Sequence, residues 1–131
     1  AGFSTAKPWL PVPLAHRGRA VDIQDGEGGS VLAAYRSILA LRKRHPALIA
    51  GSIRFLEAEG DVLAFIRQQE DERLLCVFNF AAEPANWALP AEIGDVEITA
   101  LAVDVAGVLG GVVEESALAL PPLGSFVGRI G

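Results

Sequence analysis

The feature that most constrains this chain is a change of hydrophobic period on either side of Pro46. Before it, "SVLAAYRSILALRKRH" (residues 30–45) repeats its apolar side chains at helical spacing. Leu32, Tyr35 and Leu39 share one face, and Val31, Ala34, Ile38 and Leu41 widen the stripe beyond what a lone capping helix needs. Ser30, after two glycines, is the expected N-cap. Arg42, Lys43, Arg44 and His45 gather in the last turn, where the helix dipole favours positive charge. That dipole match accounts for the basic tetrad without invoking nucleic acid. Pro46 disfavours helical geometry at His45 and is expected to end the element.

After residue 51 the spacing becomes that of strands. "SIRFLEA", "VLAFIRQ", "RLLCVFNF", "ANWALP", "DVEITALAV", "GVVEES" and "SFVGRI" are short apolar or alternating runs, punctuated by Gly and Pro. "EGD" at 59–61 and "QEDE" at 69–72 mark turns. "RLLCVFNF" is apolar on both faces, as a central strand requires. Pro121-Pro122 marks the entry to a closing strand. The fold class is therefore mainly β: an antiparallel domain of seven or eight strands, preceded by one amphipathic helix. Residues 1–29, with Pro8, Pro11, Pro13 and "DIQDGEGG", read as a long irregular segment. A structureless stretch of that length inside a compact domain points to a neighbour that it packs on.

Composition removes several functions. With 51% hydrophobic and 21% charged residues over 131 positions, the chain buries a core and is not a disordered tail. A net charge of −5 disfavours nucleic acid and anionic membrane surfaces. No apolar run reaches the roughly 20 residues that span a bilayer, and residues 1–12 lack the pattern of a signal peptide. The single cysteine, Cys76, forms no internal disulfide and reads as a buried inert thiol. It suits a reducing compartment, and the expected location is cytoplasmic.

Several stretches taken in order carry a family likeness. "GFSTAKPWLPV", Gln24, "SVLAAYRSILALRKRHPALIAG", "VLAFIRQ" and "LLCVFNF" together resemble the C-terminal end of an α-glucosidase. The branch is the oligo-1,6-glucosidase and sucrose-active one of glycoside hydrolase family thirteen, in the α-amylase superfamily. The likeness covers residues 1–80 closely and the rest in outline. It implies that residues 1–50 are the last loop and the eighth helix of a (β/α)8 catalytic barrel, and that residues 51–131 are domain C, a Greek-key β-sandwich. On this reading the chain begins in the middle of a protein whose barrel lies elsewhere. Three positions depart from the family pattern: Glu27-Gly28-Gly29-Ser30 before the helix, Ala81 after Asn79-Phe80, and Leu123 after Pro121-Pro122.

Retaining glycoside hydrolysis needs two carboxyl groups about 5–5.5 Å apart across the scissile bond. The resemblance places the family's catalytic acids on barrel loops upstream of residue 1, so no catalytic residue is carried onto this chain. Asp22, Asp25 and Glu27 lie in a Gly-rich segment that does not hold carboxylates in fixed geometry, and their spacing breaks the calcium-loop pattern. Glu70, Asp71 and Glu72 read as a solubilising turn tip. His16 and His45 are too few and too far apart for a metal site. No cofactor is expected.

The resemblance puts Phe3 and Trp9 in a loop near the barrel mouth, which makes them the substrate-proximal candidates. They either help to shape a sugar site or pin the loop to the barrel. Trp87 is read as a half-buried sandwich residue, with surface sugar stacking as the alternative. Asn79, in an apolar strand, is expected to be hydrogen-bonded internally. The expected partners are the barrel, or a second copy through the exposed apolar face, with an oligosaccharide as a further candidate. The leading reading is a non-catalytic C-terminal fragment of an α-glucosidase-like hydrolase. The alternative is a free-standing β-sandwich module that binds carbohydrate or another protein.

Overall fold

The computed structural model describes residues 5–103 and 109–131. The N-terminal segment is less irregular than expected. It holds two short helices, α1 (Leu14–Arg17) and α2 (Val21–Asp25), before the long helix α3 (Val31–Arg44). Ser30 caps α3 as anticipated: its Oγ accepts from the Ala33 N–H at 3.2 Å and donates to the Gln24 carbonyl at 2.7 Å. The Gln24 side chain completes this join, because its Oε1 accepts from the Leu32 N–H at 3.0 Å.

Pro46 ends α3 as expected, but a second helix follows at once. His45 takes the extended backbone (φ −120°, ψ 100°) that a residue before proline prefers. Pro46 then opens a second helix, α4 (Pro46–Ala50), from the first helical position, where its missing N–H costs nothing. The chain turns out of α4 at Gly51 into strand β1 (Ser52–Phe55). A Cβ at Gly51 would lie 2.5 Å from the Ala47 carbonyl oxygen and 2.7 Å from that of Gln68, so no other residue fits this junction.

The strands that follow are β2 (Val62–Gln69), β3 (Glu72–Asn79), β4 (Ala85–Ala88), then a helical turn α5 (Ala91–Gly94), β5 (Ile98–Ala100), β6 (Val112–Val113), β7 (Ala117–Leu120) and β8 (Ser125–Ile130). They form a five-stranded sheet in the order β1-β2-β3-β8-β5 and a three-stranded sheet in the order β4-β7-β6, antiparallel throughout. The neighbours β3–β8 and β4–β7 are distant in sequence, so the chain crosses between sheets as a Greek key does. Strand β7 (ALAL) is an addition to the strands read from the sequence, and β5 and β6 are shorter than expected.

One core fills the space between the sheets. Ala64 and Ile66 of β2, Leu75 and Val77 of β3, and Phe126 of β8 point into it from the larger sheet. Trp87, Leu118 and Leu120 come from the smaller one, and Ile93 of α5 closes an end. The alternation in β2 and β3 places Phe65 and Cys76, directly opposite each other, on the reverse face. That reverse face is covered in part by α3 and α4, through Leu41 and Ala47, which explains why Leu74, Leu75, Cys76 and Val77 are buried in succession.

Candidate functional site

The acids of the N-terminal segment lie at the surface. Asp25 is exposed and ion-paired with Arg36 of α3, and Asp22 and Glu27 are exposed. The turn at 69–72 departs from its expected role at one residue. Glu70 and Asp71 are an exposed two-residue tip, but the Glu72 side chain is only 12% exposed and reaches back to the helices. Its Oε1 lies 2.7 Å from His45 Nδ1, and its Oε2 accepts from the Ala47 N–H at 2.9 Å. Arg129 adds a longer contact at 3.4 Å. Burial works to raise the Glu72 pKa. The Ala47 N–H, His45 and Arg129 together outweigh it and hold the carboxyl below its ordinary value. Glu72 thus clasps the α3–α4 elbow to the sheet. The sequence carries no local sign of this, because its partners lie 25 and 27 positions away.

Glu57 and Glu59 border an open cleft of about 630 Å³ beside Trp87 and Asn86. Both are exposed loop residues, in an environment unlike the dry, fixed pair that glycoside hydrolysis uses. Among the described residues, no group of three or more His, Cys, Asp or Glu side chains is placed to hold a metal ion. No helix among them is long and apolar enough to cross a membrane.

Of the two substrate-proximal candidates, Phe3 lies outside the described residues. Trp9 is 91% exposed, with its indole turned to solvent. Trp87 is more buried than expected, at 5% exposure, and its Nε1 donates to the Glu57 carbonyl at 3.0 Å. Its ring is a core element with no face free for stacking on a sugar. Asn79 is fully engaged: Nδ2 donates to the carbonyls of Glu83 (2.7 Å) and Pro121 (3.0 Å), and Oδ1 accepts from the Ala81 N–H (3.0 Å).

The prominent surface feature is apolar. Phe55, Phe65, Phe78 and Phe80 run across the outer face of the larger sheet as a ladder, with successive ring centroids 6.0, 5.9 and 6.4 Å apart. Phe55 and Phe80, at its ends, are exposed. Helix α3 uses only part of its stripe: Leu41 is buried, while Val31, Tyr35 and Leu39 face solvent. The two surfaces meet at a slot of about 240 Å³, lined by Ile38, Leu41 and Leu48 from the helices and Phe65, Phe78 and Val127 from the sheet. Cys76 also lines it, and burial pushes the thiol pKa up to about 12 against the pull of Arg67, so it is inert at neutral pH. This face was not read from the sequence; phenylalanines at alternate positions (78 and 80), next to a strand that carries Phe65, are the signal that could have pointed to it.

The two-sheet antiparallel part of the chain has the fold of the C-terminal domain of α-amylase-type enzymes. The chain belongs to the family described as Maltogenic Amylase, C-terminal domain, which matches residues 53–127. It is 47% identical over 89 residues to a probable alpha-glucosidase of Rhizobium meliloti, a match that covers 68% of this chain and 16% of that protein. It is 30% identical over 102 residues to an oligo-1,6-glucosidase of Bacillus cereus, covering 77% and 18%. Among solved structures, the alpha-glucosyl transfer enzyme XgtA superposes with a TM-score of 0.87 at 37% identity, over 99% of this chain and 23% of that one. The trehalulose synthase MutB of Pseudomonas mesoacidophila gives 0.82 at 31%, with the same coverage. The chain therefore spans less than a quarter of the length of these relatives.

Proposed function

We propose that this chain serves as the non-catalytic C-terminal part of an enzyme that hydrolyses or transfers α-linked glucose. Residues 1–50 supply the last barrel loop and eighth barrel helix, and residues 51–131 are the accessory sandwich. The reactive carboxylates then belong to the rest of the enzyme. This chain's work is to cover one flank of that barrel and to brace its last helix. The observation that carries this reading is the apolar flank: the unused face of α3, the slot and the exposed ends of the phenylalanine ladder leave apolar side chains open to solvent on one side of the sheet, as a surface that packs on a neighbour does. Trp9, and Phe3 with it, would then stand beside the oligosaccharide site of the whole enzyme. The single cysteine suits a reducing compartment, the cytoplasm.

The test is a chimera in which this chain replaces the matching C-terminal segment of the Rhizobium meliloti relative. The chimera should be soluble and release product from a chromogenic α-glucoside at a rate near the parent's, while this chain alone releases none. An insoluble or inactive chimera, or turnover by the lone chain, would overturn the reading. Sugar binding by the lone chain would favour the stand-alone module instead.

A further inference from the structure

We propose that the slot between the helices and the outer sheet face receives one apolar side chain flanked by a carboxylate, presented by the barrel part of the same enzyme, and that Arg67 and Arg42 recognise the carboxylate. The inference rests on the function proposed above and specifies how the two parts engage.

Three observations converge on this occupant. The first is shape. A volume of about 240 Å³ walled by Ile38, Leu41, Leu48, Phe65, Phe78 and Val127 is more than enough for one aromatic or branched side chain; cavities near 150 Å³ already admit a benzene ring.

The second is charge. Among the described residues, the slot of this acidic chain is lined by two guanidinium groups, Arg42 and Arg67, and by no carboxylate. Each is only lightly used. Arg42 Nη1 donates to the Leu48 carbonyl at 2.6 Å, and Arg67 Nη2 donates to the Gly51 carbonyl at 2.8 Å. Arg67 Nε is buried without a hydrogen-bond partner. Among the described residues, the ion pairs engage Arg36, His45, Arg54 and Arg129, and neither of the slot's arginines. A guanidinium covered without a counter-charge loses its hydration uncompensated. Whatever covers the slot must therefore bring an acceptor, and a carboxylate matches the planar fork of arginine.

The third is continuity. The slot opens between the exposed stripe of α3 and the ladder, so a body resting on both necessarily lies across it.

The chimera described above distinguishes this engagement from a role inside the domain. Arg67→Lys keeps the charge and a donor for the Gly51 carbonyl but loses the fork, and Arg42→Gln removes the second charge. In the lone chain, both substitutions together should move the melting temperature by less than about 2 °C. In the chimera they should lower it by roughly 3 °C or more, with KM for the glucoside unchanged. An active chimera indifferent to both substitutions would overturn the slot while leaving the proposed function standing. Equal losses in the lone chain and the chimera would also overturn it, because the arginines would then serve only the domain itself. An inactive or insoluble parent chimera would remove both.

Discussion

Glu72 shows how one side chain can decide whether two elements behave as one. Its carboxylate is bound in the folded state and free in the unfolded state, so its pKa is lower folded than unfolded. The stability it contributes is complete above the ordinary carboxylate value near 4.5, and is lost as pH falls through the depressed folded value. Glu72→Gln should destabilise the chain by about 1–3 kcal/mol at neutral pH, since it weakens hydrogen bonds to a charged acceptor. The gap between variant and parent should narrow below pH 4.5. Denaturant unfolding at pH 7 and pH 3.5 measures both quantities, and a gap that is constant with pH would show that the charge is irrelevant. Trp87 makes the complementary point: a large aromatic on a short strand gives no sequence sign of which face it takes, and here its N–H finds a carbonyl 30 positions away.

Among the elements, the β2–β3 hairpin turns through Glu70 at φ 52°, a left-handed conformation that costs an L-residue about 1–2 kcal/mol. Glycine pays no such cost there but loses more chain entropy on folding, about 0.5–1 kcal/mol. Glu70→Gly should therefore raise stability by about 0.5–1 kcal/mol, read as a later urea midpoint. An earlier midpoint would mean that the turn holds no strain. Legibility follows the same local logic. Strands β2, β3 and β8 are readable because their apolar runs sit between polar or glycine-proline punctuation, and α3 because its cap and stripe agree. Helix α4 is hidden because proline as a helix stop and proline as a first helical residue look the same in sequence. Strand β7, "ALAL", is hidden because it alternates in size but not in polarity. The ladder is hidden, because the shared face of its phenylalanines depends on pairing registers that only the fold supplies.

Across the whole molecule, the buried core and the exposed flank lie on opposite faces of the same sheet. The apolar flank, from Val31 (79% exposed) to Phe55 (64% exposed), should make the lone chain bind a hydrophobic dye such as ANS under native conditions. Seating the chain in the chimera should remove most of that fluorescence. Dye binding that is weak in the lone chain, or equal in both, would show that this flank is not the mating surface. The family match at residues 53–127 follows the sandwich and begins after helices α1–α4, yet the clasp and the glycine elbow tie α3 and α4 to it.

That tie has a consequence for recombination. An exchange between homologous genes with its crossover at Gly51 would keep each sheet intact but set a foreign elbow opposite Glu72. A crossover upstream of Ser30 would carry helix, elbow and sheet across as one inherited block. Viable hybrids of this lineage should therefore favour the earlier breakpoint.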